Sequence, residues 1–138
     1  METLHSYLGN AAALADAGIP LAIGTGYEAY VPKTRVVRHE AATAMVYGLG
    51  FDRALRAITL DAAHILGIDD RFGSLEPGKA ADLVLYDGDC FEHATHVTHT
   101  VIGGRVVYDR DAYLKLPLAR RALPITGGSG VGCCLGAW

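Results

Sequence analysis

Three histidines at intervals of three, His93, His96 and His99, are the first residues whose spacing could do chemistry. On a helix they would line one face, where imidazoles can hold a divalent metal. Their neighbours Thr95, Val97, Thr98, Thr100 and Val101 are β-branched, which predicts a strand instead. A strand alternates faces, so His96 and His99 point to opposite sides and read as surface or hydrogen-bonded histidines. His39 and Glu40 fall on a helical pattern, and His64 lies among apolar residues, where a hydrogen-bonded core histidine is expected. Cys133 and Cys134 could bind a soft metal, but two adjacent thiols without a third ligand read as part of an apolar tail.

A second constellation is GTGYEAYVPKT at residues 24–34, a Gly-rich loop between an apolar run and a helix. That is where a phosphate loop would sit. It lacks the GK[ST] ending and the GxGxxG spacing, so nucleotide binding is not its reading.

The elements that would position these residues can be read in order. Leu4, Leu8, Ala11, Leu14 and Ala15 predict a helix over 2–17, closed by Gly18 and kept from continuing by Pro20. Leu21, Ala22 and Ile23 make a short continuous apolar run, as in a buried parallel strand. A helix over 35–49 follows the loop, with Val37, Ala41, Ala44, Met45 and Leu49 inward and Gly48 and Gly50 at its end. Another over 51–58 carries Leu55 and Ile58 inward. Thr59 is the expected N-cap of a third, 60–66, which Gly67 closes.

The character then changes. Glu76-Pro77-Gly78-Lys79 is a turn, 81–86 a strand, and 87–89 another turn. Two β-rich runs, 96–102 and 105–108, flank Gly103-Gly104, a two-residue hairpin signal. Three regions result: α/β over 1–68, all-β over 69–112, and a Gly-rich tail over 113–138 expected to pack poorly without a partner. No internal repeat is evident.

With 138 residues, 51% of them hydrophobic and 20% charged, an ordinary globular composition is expected. A formal net charge of −3 excludes a strongly basic nucleic-acid binder. No apolar run is long enough to span a bilayer, so no membrane association is expected. The first residues, METLHSYLGN, do not form a signal-peptide pattern. Three cysteines, two of them adjacent, are not a disulfide framework, and a reducing compartment such as the cytoplasm is the default.

Ordered stretches of this chain resemble the C-terminal part of the amidohydrolase superfamily, most closely its imidazolonepropionase- and prolidase-like members. ALADAGIPLAIGT resembles the last helix-to-strand unit of the barrel, ALRAITLDAAHILGI the helices after it, GSLEPGKAADLVLYD the return into the small flanking β-sandwich, and HTVIGGRVVYDR its closing hairpin. The resemblance implies an α+β fold: the terminal βα portion of a TIM barrel, followed by strands of the small composite β-sandwich. Because such a barrel needs about 200 residues or more, the chain reads as a C-terminal fragment.

In the family, metal-activated water cleaves a C–N bond in a small amide-type substrate, with zinc or another divalent metal held by side chains spread over the barrel. The one such ligand expected within this chain is an Asp after the last strand. Gly26 stands there, and a hydrogen atom neither ligates a metal nor accepts a proton. The resemblance therefore assigns this chain no catalytic residue, no metal ligand and no cofactor of its own. Glu28 could replace the Asp, against the simpler reading of a solvated loop carboxylate. Tyr27, Glu28, Lys33 and Arg35 are substrate-contact candidates, with a structural turn as an equal competitor. Two functional expectations stand: a fragment of a metal-dependent amidohydrolase that is inactive alone, and a non-catalytic, self-associating structural or binding domain. Either implies a homo-oligomer or a missing N-terminal barrel portion as partner.

Overall fold

The computed structural model describes residues 7–25 and 36–121. Its fold is α+β, and its contacts divide the described chain into two compact units, one of residues 7–24 and 36–80 and one centred on 81–121. No described helix is long and apolar enough to cross a membrane.

The first unit is helical: α1 (Asn10–Asp16), α2 (Val37–Ala44), α3 (Phe51–Ala57) and α4 (Leu60–Leu66). Its helix ends follow from glycine. Beyond α1, Gly18 takes φ 73° while the Gly18 and Ile19 N–H groups donate to the Ala15 and Leu14 carbonyls. That is a Schellman closure, which needs a left-handed residue. Gly67 does the same after α4, with the Ile68 N–H bonded to the Ala63 carbonyl at 3.0 Å. The predicted helix over 35–49 stops being α-helical at Ala44. Met45–Leu49 is a wide π-type turn, since the Gly50 N–H reaches back to the Met45 carbonyl and Gly48 and Gly50 take φ 104° and 80°.

The core of this unit is built largely from alanine. Ala41, Ala44, Ala54, Ala57 and Ala63 are buried, and Leu49 is the one large side chain among the described residues with under 2% exposure. The expected inward residues Leu55 and Ile58 are only half-buried. Small side chains let helices approach closely, and the residues at the closest approach become the buried ones. Thr59 holds the N-cap position of α4 but caps nothing: its Oγ1 donates to the Leu55 carbonyl at 2.7 Å. A threonine hydroxyl that can reach back to residue i−4 has an alternative to capping.

The strand expected at Leu21–Ile23 is not formed. Residues 21–24 belong to no strand, and their one backbone hydrogen bond among the described residues runs from the Ile23 N–H to the Ala57 carbonyl at 3.0 Å. A ladder needs a neighbouring strand, and the first unit's described residues contain none. Residues 69–80 pack back onto α4. The Ala80 N–H bonds to the Arg71 carbonyl, and a Cβ on Gly73, at φ 93°, would lie 2.7 Å from the Ala63 Cβ.

The second unit is a three-stranded antiparallel sheet in the order β1 (Leu83–Tyr86), β2 (Val97–Ile102), β3 (Arg105–Asp109). Gly103 and Gly104, at φ 56° and 76°, form the β2–β3 turn, as the two-glycine signal predicts for a type I′ hairpin. The Asp82 carboxylate accepts the Gly103 N–H at 2.7 Å, and the Ala81 carbonyl accepts that of Gly104, so the turn is tied to the start of β1. Register pairs Leu83 with Val101 and Thr100 with Tyr108, with an irregularity between Thr100 and Val101. Two short helices follow, α5 (Arg110–Leu114) and α6 (Leu118–Arg121). The Asp109 side chain caps α5 through the Ala112 N–H at 3.0 Å. The Tyr113 ring lies 5.7 Å from that of Tyr108, and its hydroxyl donates to the Arg121 carbonyl.

Candidate functional site

The candidate residues Gly26, Tyr27, Glu28, Lys33 and Arg35, together with Cys133 and Cys134, lie outside the described residues. Residues 21–24 lead into that loop. The chemistry-bearing side chains that are described can be taken one cluster at a time.

Each histidine beside a carboxylate is engaged in a pair. His64 is exposed rather than a core residue, and its Nδ1 lies 3.0 Å from Asp69 Oδ2. It occupies the outward face of α4 because Ala63 takes the inward position. The hydrogen bond from His64 holds the Asp69 carboxyl below its ordinary range. His96 precedes β2, and Asp87 accepts its backbone N–H at 2.8 Å and meets its ring at 3.3 Å. That backbone N–H is the chief cause of the lowered Asp87 pKa. His99 sits on β2 opposite Asp109 of β3, with Nε2 3.9 Å from the carboxylate. The Asp109 carboxyl is also lowered, first by the Ala112 N–H it caps. His96 and His99 thus serve contacts of β2 and of the loop before it. Among the described residues no group of three His, Cys, Asp or Glu side chains could hold a metal ion.

Ser74, Glu76 and Lys79 form a cluster that the sequence reading did not single out. The Lys79 side chain is 14% exposed, its Nζ donates to Ser74 Oγ at 2.6 Å, and that hydroxyl donates to Glu76 Oε1 at 2.7 Å. The Ser74 hydroxyl holds the Glu76 carboxyl below its usual value, with the Lys79 charge second. A serine nucleophile needs a neighbour that takes its proton. Here the neighbouring carboxylate is held below its usual range and is a weak base, so the trio is read as a clamp on the 74–79 turn. The spacing i, i+2, i+5 around Pro77-Gly78 was the available signal.

In the first unit a groove of about 400 Å³ is lined by Ile19, Pro20, Leu21 and Leu49 with Arg53, Arg56, Asp61 and His64. Its charges are already matched. Arg53 spans three acceptors: the Leu49 carbonyl at 2.7 Å, the Gly48 carbonyl at 3.3 Å and Asp16 at 2.6 Å. Arg56 grips both oxygens of Asp61, at 2.6 and 3.3 Å, joining α3 to α4. The groove also lies where the chain enters the 21–24 segment, whereas barrel enzymes work at the end where strands leave. These side chains position helices and have no acid, base or nucleophile poised for a substrate.

The amidohydrolase family model matches residues 3–108. The chain is 33% identical over 110 residues to a probable imidazolonepropionase of Nematostella vectensis, covering 72% of this chain and 25% of that protein. It is 35% identical over 100 residues to the imidazolonepropionase of Porphyromonas gingivalis, covering 67% and 24%. A 5-methylthioadenosine/S-adenosylhomocysteine deaminase of Symbiobacterium thermophilum is 37% identical over 71 residues, covering 41% and 16%. In three dimensions the chain superposes on the crystal structure of an amidohydrolase from Thermotoga maritima with a TM-score of 0.72 and 34% identity, over 80% of this chain and 28% of that one. The chain spans about a quarter of the length of the imidazolonepropionases it matches. A family match over most of the sequence, a fold match at high superposition and the α+β architecture agree: the chain belongs to the amidohydrolase family.

Proposed function

We propose that this chain is a scaffold portion of an amidohydrolase whose full-length relatives act on C–N bonds in small molecules. It would supply the last βα part of a TIM barrel and strands of the small β-sandwich, with the rest of the barrel supplying the metal centre. The observation that carries this reading is the family match over residues 3–108 combined with the engagement of the described ionisable side chains around the groove in structural pairs. Among the described residues no cluster of side chains fits the family's divalent metal. No described group of three ligands exists, and Gly26 stands where the resemblance places an Asp. Tyr27, Glu28, Lys33 and Arg35, on the loop that follows residues 21–24, are the side chains of this chain proposed to face the substrate.

A chimera tests the reading, with this chain replacing the matching quarter of the Porphyromonas gingivalis imidazolonepropionase. Turnover of the imidazolone that names that enzyme is expected at background with Gly26. It should rise by roughly 100-fold or more in Gly26→Asp, the range a positioned general base supplies. A folded chimera that remains at background with Gly26→Asp would overturn the family chemistry. Turnover by the 138-residue chain alone, with zinc present, would overturn the scaffold role.

A further inference from the structure

Among the described residues, one buried side-chain nitrogen or oxygen has no hydrogen-bond partner: Nδ1 of His99, on β2. The register sets His99 beside Leu85 of β1 and Asp109 of β3. Its other ring nitrogen, Nε2, lies 3.9 Å from Asp109 Oδ2, beyond hydrogen-bond reach, and the two side chains are 41% and 44% exposed. A ring with its proton on Nε2 leaves Nδ1 a bare acceptor. A proton on Nδ1, in the other tautomer or in the cation, buries a donor with nothing to bind. An orphaned N–H costs its full desolvation, whereas an exposed ion pair returns little. The arrangement therefore suits a neutral ring protonated on Nε2.

Asp109 joins this ring to the segment that follows. Its Oδ1 accepts the Ala112 N–H at 3.0 Å and so caps α5, which packs on β2 and β3. α5 has five residues, too few to hold a helix without that cap and the Tyr108–Tyr113 ring contact. An imidazolium at position 99 satisfies Nδ1 only by turning out of its place, toward water or toward the carboxylate that caps α5. The neighbouring elements offer nothing else. β1 places apolar Leu85 beside the ring, the Lys115 charge acts on Asp109, the Arg110 charge acts on Asp87, and Asp111 adds its backbone N–H to the cap. None of them gives Nδ1 an acceptor.

We infer that His99 is a pH-sensitive latch: neutral, it lets Asp109 keep α5 docked on the sheet; protonated, it leaves its place and releases residues 110–121. The latch lies within the second unit and is independent of the scaffold role. The open form takes up a proton that the closed form does not, so acid favours opening in the range where histidine titrates. Asp109 stays ionised there, because the Ala112 N–H holds its carboxyl below the usual range.

The test follows the full chain by NMR at about pH 7.5 and about pH 5.5. The ring nitrogen shifts of His99 should place its proton on Nε2 at the higher pH. Amide exchange at Ala112, corrected for its intrinsic pH dependence, should report opening about tenfold more populated at the lower pH. That is the factor for one histidine of ordinary pKa, about 6.5, titrating only in the open form. The Gly103 amide, held by Asp82 at the β2–β3 turn, should not follow, which separates release of α5 from unfolding of the sheet. His99→Phe and His99→Gln, which cannot titrate, should change by less than about twofold, while His96→Gln should respond as the parent does. Circular dichroism checks that the variants fold. A proton on Nδ1 at the higher pH, no rise at Ala112 in the parent, an equal rise at Gly103, or the parent's rise in a folded His99 variant would overturn the inference. The ring tautomer and the parent's response decide it even where a variant fails to fold.

Discussion

Arg53 shows how this chain spends its charged side chains. Its guanidinium holds the Leu49 and Gly48 carbonyls at the wide turn and reaches Asp16 of α1. The backbone bonds carry the energy, because an exposed ion pair is worth little while an orphaned carbonyl costs more. Arg53→Ala is expected to destabilise the helical unit by about 1–2 kcal/mol and Asp16→Asn by less than about 0.5 kcal/mol, read from urea unfolding. At Asp87 the contribution depends on pH. The His96 N–H lowers its folded pKa, so its stabilisation is present above the unfolded value, about 3.9, and is lost as pH falls through the folded one. Thermal melts at stepped pH should show the sheet weakening on acidification below about pH 4, and Asp87→Asn should flatten that dependence. At this scale the sequence was partly legible. The reading of His96 as a hydrogen-bonded side chain agrees with its contact to Asp87, whereas His99 lies 3.9 Å from Asp109, beyond hydrogen-bond reach, and its buried Nδ1 has no hydrogen-bond partner among the described residues. His64 was placed inward, because an apolar neighbourhood along the chain does not reveal that a small residue, Ala63, holds the inner position.

Among the elements, the glycines were the clearest text. Gly18, Gly67, Gly103 and Gly104 all take positive φ where helix closure or a tight hairpin demands it. Gly73 is different in kind, because its added Cβ would meet the Ala63 Cβ at 2.7 Å and the Leu60 Cα at 2.9 Å. Gly73→Ala should therefore cost more than about 2 kcal/mol, while Gly67→Ala, with open space around it, should cost about 1 kcal/mol. Leu49→Ala should cost about 2–5 kcal/mol, since it empties the largest buried side chain of the unit. Both series are read by equilibrium unfolding. The strand at 21–23 was not legible as an unformed element, since a strand is a property of a pair and sequence pattern sees one member. The alanine core was missed for a related reason: periodicity weighs large apolar residues, whereas close helix packing buries small ones.

The whole molecule carries the signature of one family and only part of that family's length. Its helical unit is closed by alanines and glycines, its sheet by a glycine hairpin and aspartate caps, and its described ionisable clusters are tied up in structural pairs. The candidate loop with Gly26, Tyr27, Glu28, Lys33 and Arg35 is proposed through family resemblance alone and lies outside the described residues, and no spacing rule marks such a loop in the sequence. The proposed role makes this chain scaffold without a metal centre of its own. Equilibrium dialysis of the full chain against zinc at neutral pH tests it most directly. No stoichiometric site tighter than about 10 μM is expected, against the nanomolar or tighter binding of built zinc sites. One zinc per chain at submicromolar Kd, with three or more side-chain ligands by X-ray absorption, would contradict it.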